Sequence, residues 1–159
     1  MPMEYGRIDG LDKPISRILQ GTMMIKTGEE ELEWSFDLLD GLYELGVNAF
    51  DTAHIYAGGQ SERCLGRWLD SRGFHEKCVI LTKGAHHTAD RKKVTPYDIT
   101  AEIYDSLARL KTEFLDIYVL HRDDPDVPVG PIVEILNEHK AAGRIGVFGG
   151  SNWRPNRIR

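Results

Sequence analysis

The feature that most constrains this sequence is a short apolar run ending on a polar residue, which recurs four times at nearly regular intervals. The runs lead into Asp51, Lys83, His121 and Ser151, which are 32, 38 and 30 residues apart, and each interval holds one helix-like segment. Thirty-odd residues is the length of a strand–helix–strand unit. Strands that are apolar on both faces are typical of parallel sheets covered by helices. We therefore predict an α/β fold whose polar residues meet at the carboxyl ends of parallel strands, where such folds place their chemistry.

Hydrophobic periodicity and capping signals predict five strands and four helices. The strands are expected within 15–25 (broken by Gly21-Thr22), 48–53, 79–82, 117–120 and 145–149. The helices are expected at 29–45, at 61–72 with Ser61 as its cap, from Thr95-Pro96 onward, and from 130 to about 143. A complete β/α barrel has eight strand–helix units and typically about 250 residues. This chain of 159 residues holds about the first five units, as one domain over 1–159.

Composition narrows the range of partners. The net charge is −5, so we expect neither nucleic acid nor an anionic membrane as a partner. No apolar run approaches the ~18 residues of a membrane span, and the first residues lack the pattern of a secretory signal. We interpret Cys64 and Cys78 as reduced and structural, in a cytoplasmic protein. The basic run at 91–93 is interpreted as a solvated loop.

Four short motifs follow one another along the chain. They are Phe-Asp-Thr-Ala-His-Ile-Tyr at 50–56 with Gly-Gly-Gln-Ser-Glu at 58–62, Leu-Thr-Lys-Gly at 81–84, Leu-His-Arg-Asp-Asp-Pro at 120–125, and Gly-Gly-Ser-Asn at 149–152. Their order and spacing resemble the signatures of the aldo-keto reductases. This resemblance implies a (β/α)8 TIM barrel, here a partial barrel, and the reduction of aldehydes and ketones with NAD(P)H. No Gly-x-Gly-x-x-Gly motif follows a strand, so the sequence gives no support to a Rossmann dehydrogenase.

By this resemblance the catalytic residues are Asp51, Tyr56, Lys83 and His121. Hydride addition to a carbonyl leaves negative charge on oxygen, so an acid has to deliver a proton. Tyr56 is the expected acid, although a phenol with a pKa near ~10 is a weak donor unless a cation stabilises its anion. Lys83, paired with Asp51, would supply that cation. His121 would donate a hydrogen bond to the carbonyl oxygen.

The resemblance also implies a nicotinamide site. Ser151 and Asn152 match the pair that binds the carboxamide, and the turn at 21–23 matches the one over which the ring lies. The expected cofactor-binding residues are Gly21, Thr22, Met23, Asp51, Ser151 and Asn152. NADP is the usual cofactor of the family and NAD stays open, because the later loops that bind the adenosine half are not in this sequence.

Other candidate residues have structural interpretations. His86 and His87 are adjacent and lack a third ligand in range, so we expect no metal site. Asp123 and Asp124 are interpreted as structural. His54 and Trp153 are expected either to line the substrate pocket or to pack beside it.

Several alternatives stay open at this stage. Strands one and five would each leave an open edge, so the chain is a fragment of a full reductase, a unit that associates with another copy or a complementary half, or an inactive remnant. We favour the fragment. The substrate is expected to be a small carbonyl compound of unknown identity. The functional alternatives are a non-catalytic nicotinamide-binding regulatory module and a half-barrel assembly unit.

Overall fold

A parallel sheet of five strands dominates the computed structural model, which describes residues 2–158. A two-stranded hairpin, β1 (Tyr5–Gly6) and β2 (Ile15–Ser16), precedes it. The sheet strands are β3 (Leu19–Gly21), β4 (Ala49–Asp51), β5 (Val79–Gly84), β6 (Leu115–Leu120) and β7 (Ile145–Gly150). The helices are α1 (Leu32–Glu44), α2 (Gln60–Arg72), α3 (Pro96–Leu110), α4 (Val129–Ala141) and α5 (Pro155–Ile158).

The strands lie side by side in chain order, and all neighbours are parallel. A helix separates each strand from the next, as the sequence spacing predicts. Strands β3 and β7 form the two edges and do not pair with each other in the described chain, so the sheet is open. The prediction of an α/β partial barrel is therefore confirmed.

Alternation along the strands divides the apolar side chains between two layers. The layer between sheet and helices contains large buried side chains, among them Phe50, Trp68 and Tyr118. The inner face of the sheet carries a smaller cluster that includes Ala49 and Val79. Because the carboxyl ends of the strands continue this alternation, polar residues there are also directed to one face or the other.

The amino-terminal segment differs from the prediction of one broken strand over 15–25. Only Leu19–Gly21 joins the main sheet, whereas Ile15–Ser16 pairs antiparallel with Tyr5–Gly6. The hairpin closes the amino-end side of the sheet, where Lys13 Nζ lies 2.7 Å from the buried Asp116 carboxylate. Two-residue strands are too short to produce a hydrophobic period, so this hairpin left no signal in the sequence.

The structure confirms one of the two predicted helix caps. Thr95 caps α3 as expected, since its side chain accepts a hydrogen bond from the backbone N–H of Asp98. The prediction that Ser61 caps α2 is wrong. Gly59, with φ of 90°, is the residue before α2, and Ser61 lies buried inside its first turn. The turn at Tyr56–Gly59 continues into α2, and the backbone N–H of Gln60 donates to the carbonyl oxygens of Tyr56 and Ala57.

The basic run at 91–93 lies in a loop with Arg91 and Lys92 exposed, as the sequence predicts, but its cations are also paired. Each cation contacts carboxylates elsewhere: Arg91 with Asp98, Lys92 with Asp124 and Asp126, and Lys93 with Glu102. These pairs attach the loop between β5 and α3 to its surroundings. Charge clustering in the sequence could not reveal partners that only the fold supplies.

Two further expectations concern the cysteines and membranes. Cys64 and Cys78 are both buried and unpaired with each other, which confirms the interpretation of reduced structural residues. Over residues 2–158, none of the helices combines the length and the apolar character that crossing a membrane requires.

The contact between α2 and α3 generates a stability prediction. A Cβ at Gly66 would lie 2.4 Å from the carbonyl oxygen of Arg109, so Gly66→Ala should force the helices apart and destabilise the chain by about 1–3 kcal/mol. Gly41→Ala in α1 is the matched control, because its Cβ meets nothing within 4 Å. It should stabilise the chain by about 0.5–1 kcal/mol through helix propensity. Urea unfolding measures both, and equal effects of the two substitutions would contradict the packing argument.

Candidate active site

The predicted catalytic residues come together at the carboxyl ends of the central strands. Asp51 ends β4, Lys83 lies near the end of β5, and His121 directly follows β6. The strand register aligns Lys83 with Val119 and Asp51 with Leu81, which places these side chains on the inner face. Tyr56 arrives from the loop after β4. Four residues spread over 71 positions of the chain therefore surround one point.

Lys83 is the centre of this group. Its Nζ contacts Asp51 Oδ1, donates a hydrogen bond to the carbonyl oxygen of Thr52 at 2.9 Å, and lies 3.4 Å from Tyr56 Oη. The ammonium also lies 5.0 Å from the centre of the Tyr56 ring. Only 11% of the Lys83 side chain is exposed, and Asp51 supplies the opposite charge that a largely buried ammonium requires.

The loop that carries Tyr56 has an unusual backbone. Ala57, Gly58 and Gly59 adopt φ angles of 48°, 62° and 90°, so three consecutive residues are left-handed. A non-glycine residue in this region costs energy and is found where the surrounding structure holds it, often at functional sites. The backbone N–H of His54 donates to the Lys83 carbonyl at 2.9 Å, which attaches the loop to β5.

His121 is held in its neutral form. Burial, together with the neighbouring His86 and Lys83, lowers the pKa of His121 to about 4. Its ring meets the Tyr56 ring edge-on, with 5.8 Å between centroids. Its Nδ1 is buried and has no hydrogen-bond partner. A neutral imidazole beside a phenol can donate a hydrogen bond without adding a second positive charge next to Lys83.

Sequence reasoning missed His86 as a neighbour of the site. Its ring lies 4.8 Å from the His121 ring, at 79° between the planes. His86 Nδ1 lies 2.8 Å from the His87 carbonyl oxygen, which can only accept, so Nδ1 carries the proton. The available signal was its position three residues after Lys83. Within residues 2–158, no group of three or more His, Cys, Asp or Glu side chains is arranged to hold a metal ion.

Ser151 and Asn152 lie at the end of β7, where the backbone N–H of Ser151 donates to the Leu120 carbonyl at 2.8 Å. Asn152 is left-handed, with φ of 62°, and its Nδ2 donates to the His121 carbonyl at 3.1 Å and to Ser151 Oγ at 3.0 Å. A carboxamide needs one donor and one acceptor. The Ser151 hydroxyl and the Asn152 amide oxygen form such a set, so their chemistry fits a nicotinamide.

The turn at 21–23 follows the edge strand β3 and lies beside Asp51 at the end of β4. The backbone N–H of Thr22 donates to the Asp51 carbonyl at 2.8 Å, and its buried hydroxyl has no hydrogen-bond partner. A Cβ at Gly21 would meet nothing within 4 Å, and Met23 is 59% exposed. Open space beside an orphan hydroxyl also fits a group bound over this turn.

The remaining candidates are engaged elsewhere. His54 Nε2 lies 3.0 Å from the Asp105 carboxylate of α3, and Trp153 Nε1 donates to the Arg122 carbonyl at 3.2 Å. Asp123 forms an ion pair with Arg157 at 2.9 Å. These contacts give Asp123 the structural role that we expected.

Comparison with known proteins identifies the family of this chain. Residues 17–159 match the model of the aldo/keto reductase family. The chain belongs to this family. It is 31% identical over 157 residues to the aldo-keto reductase YhdN of Bacillus subtilis, covering 95% of this chain and 47% of that protein. It is 30% identical to the aryl-alcohol dehydrogenase [NADP(+)] of Phanerodontia chrysosporium, covering 79% of this chain and 36% of that protein.

Solved structures support the same family assignment. The holo form of aldo-keto reductase AKR11C1 from Bacillus halodurans superposes with a TM-score of 0.84 at 30% identity, covering 98% of this chain and 52% of that one. The glycerol dehydrogenase AKR11B4 from Gluconobacter oxydans superposes with a TM-score of 0.87 at 29% identity, covering 97% and 50%. This aldo/keto reductase chain thus spans about half the length of these solved relatives.

The environment of His121 predicts its titration. Its pKa of about 4 in the folded chain lies below the ordinary 6.5, so the unfolded chain binds a proton here that the folded chain does not. Protonation of His121 in the unfolded chain therefore lowers the free energy of unfolding as the pH falls from 6.5 towards 4. In NMR spectra of the imidazole nitrogens, His121 should stay neutral at pH 5.5. His86→Phe should raise its midpoint by removing one repulsive neighbour, and a midpoint of 6.5 or above in the unaltered chain would contradict the assignment.

Proposed function

We propose that this chain carries the proton-donating half of a reductase that converts aldehydes or ketones to alcohols with a nicotinamide cofactor. The single observation that supports this most strongly is the position of Lys83 Nζ, which contacts Asp51 and lies 3.4 Å from Tyr56 Oη. An ammonium within hydrogen-bond reach of a phenol favours the phenolate form. Lys83 is thus placed to stabilise the phenolate that remains after Tyr56 has given up its proton.

In the proposed reaction, Tyr56 donates its proton to the carbonyl oxygen of the substrate as negative charge develops there. Lys83 stabilises the resulting phenolate, and Asp51 keeps Lys83 oriented and electrically balanced. In the reverse direction Tyr56 accepts the proton. In this proposal the only proton transferred to the substrate is that of Tyr56, and Lys83 and Asp51 act by charge and position.

His121 orients the carbonyl group in this proposal. Because its pKa is lowered to about 4, the ring is neutral at physiological pH and donates one hydrogen bond to the substrate oxygen. A charged imidazolium would compete with Tyr56 as the acid. The neutral form leaves proton donation to the phenol.

The cofactor would be held by Ser151 and Asn152 at its carboxamide and by the turn formed by Gly21, Thr22 and Met23. When bound, a reduced nicotinamide supplies the hydride. We propose NADPH, which is in keeping with the relative named as an aryl-alcohol dehydrogenase [NADP(+)]. The same relative makes an aromatic aldehyde a reasonable first substrate. We propose that the chain works in the cytoplasm, and that another copy or a complementary half covers its open sheet edges.

The central test is Tyr56→Phe, which removes only the phenolic hydroxyl. Oxidation of NADPH in the presence of 4-nitrobenzaldehyde, followed by absorbance, should fall about 10²–10⁴-fold, the range that general acid catalysis contributes. Tyr97→Phe is the matched control, because Tyr97 is 81% exposed in the first turn of α3 and takes no part in the hydrogen bonds of the site. It should leave the rate unchanged.

A loss of similar size in both variants, or a Tyr56→Phe rate equal to that of the unaltered chain, would contradict Tyr56 as the acid. Saturable NADPH binding without turnover would instead indicate a nicotinamide-binding regulatory module. Sedimentation velocity of the same sample reports whether a second copy is present when activity is observed.

The cofactor assignment has its own test at Asn152. Asn152→Gly keeps a residue that accepts the left-handed backbone and removes the side chain with its acceptor oxygen. Asn152→Asp keeps the shape but replaces the Nδ2 donor by an oxygen, which repels the His121 carbonyl and takes the Ser151 hydroxyl away from the carboxamide. Both should weaken NADPH binding about 10-fold or more, measured by quenching of tryptophan fluorescence. Unchanged affinity in the two variants would exclude the side chain from the carboxamide site.

A further inference from the structure

A buried ion pair on the helix side of the sheet has no part in the proposed reaction. Glu62 of α2 is fully buried, and its Oε2 accepts a hydrogen bond from Arg109 Nη1 of α3 at 3.2 Å. Its other oxygen, Oε1, accepts from the hydroxyl of Thr82 at 2.7 Å. Thr82 directly precedes Lys83. The carboxylate thus connects α2 and α3 to the strand that carries the central ammonium.

The same arginine also reaches the loop that carries Tyr56. Arg109 Nη1 donates to the backbone carbonyl of His54 at 3.0 Å. A Cβ at Gly59 would lie 2.5 Å from this nitrogen, so the turn after Tyr56 passes directly over the guanidinium. One nitrogen of Arg109 is therefore shared between Glu62 and the Tyr56 loop.

We propose that Glu62 and Arg109 are positioning residues that hold the Tyr56 loop against strand β5 and thereby set the separation of Tyr56 from Lys83. This inference rests on the proposed function, in which those two residues act together. The chain of contacts runs from Lys83 through its neighbour Thr82 to Glu62, on to Arg109, and ends at the loop. Neither Glu62 nor Arg109 touches the reacting groups.

The energetics favour this interpretation over simple packing. A buried ion pair is costly to desolvate, and well-packed apolar residues are often equally stabilising. What an apolar pair cannot provide is directed hydrogen bonds to two separate segments. The Lys83–Tyr56 distance of 3.4 Å is already long for a hydrogen bond, so a small shift of the loop would break it.

A second buried carboxylate holds the other side of Lys83. Glu102 of α3 accepts a hydrogen bond from the backbone N–H of Ala85 at 2.6 Å and contacts Lys93. Thr82 and Ala85 therefore fasten β5 to the helix layer on both sides of Lys83. Glu102 also lies 3.8 Å from the His54 ring, at Nδ1. Of these two carboxylates, however, Glu62 is the one whose partner, Arg109, donates a hydrogen bond to the backbone of the Tyr56 loop and lies under its turn at Gly59, which is why the proposal is made for that pair.

The test compares isosteric substitutions. Glu62→Gln keeps the shape and the acceptor for Thr82 but removes the charge, and Thr82→Val removes one hydroxyl from the same connection. The control is Asp70→Asn. Asp70 forms an exposed ion pair at 2.6 Å with Lys111, and so joins α2 to the end of α3 at the protein surface.

Amide hydrogen exchange followed by mass spectrometry is the primary measurement. In Glu62→Gln, exchange across 54–60 should accelerate at least about tenfold, while exchange across α3 stays as in the unaltered chain. Thr82→Val should give a smaller change in the same segment. Asp70→Asn should change neither segment.

Acylation of Lys83 by an amine-reactive ester provides a second readout that does not depend on turnover. With Lys77 as the internal reference, Lys83 should react several-fold faster in Glu62→Gln. In the turnover assay, kcat should fall about 10–100-fold while the KM for the aldehyde stays within about twofold. A merely structural role would not confine the change to kcat.

The outcomes separate this inference from the proposed function. Unaltered exchange across 54–60 in both variants, or an increase spread evenly over the chain in both, overturns the positioning role. If the unaltered chain shows no turnover dependent on Tyr56, the proposed function fails. Exchange and acylation then still decide whether the pair fixes the loop. If Glu62→Gln does not fold, Thr82→Val decides alone.

Discussion

The charge of Lys83 is the constraint on which the arrangement of this chain depends. An ammonium with 11% of its side chain exposed requires an opposite charge and oxygen acceptors at close range. Asp51, the Thr52 carbonyl and Tyr56 provide them, and each comes from β4 or the loop that follows it. The parallel register of β4 with β5 brings these groups together. The same requirement that makes Lys83 stable inside the fold places it beside the phenol that we propose as the acid.

Two layers of polar contacts support this centre from opposite sides of the sheet. On the inner face, Lys83, Tyr56 and His121 form the site, with His86 against the His121 ring. On the outer face, Glu62 accepts a hydrogen bond from the Thr82 hydroxyl of β5, and Glu102 accepts one from the backbone N–H of Ala85, just after β5. Side chains alternate along a strand, so neighbours of a functional residue necessarily point into the helix layer. Buried carboxylates in that layer act on the site through the strand backbone.

Much of the fold could be predicted because its signals are local. The cap at Thr95, the spacing of apolar runs and the strand ends at Asp51, Lys83 and His121 all depend on neighbouring residues. The failures have the opposite character. The hairpin of Tyr5–Gly6 with Ile15–Ser16 joins segments too short to show a period, and the left-handed turn at 57–59 replaced the expected Ser61 cap. The ion pairs of the basic loop join residues up to 34 positions apart.

The sequence by itself determined the order of the elements, the family and the residue types available at the carboxyl ends of the strands, because periodicity and motif spacing are properties of the chain. Only the tertiary structure decided the distances between those residues, the neutral state of His121 and the connection from Glu62 through Arg109 to the Tyr56 loop. Such properties depend on burial and on through-space contacts. Neither is defined until the strands are paired and the helices have packed on the sheet.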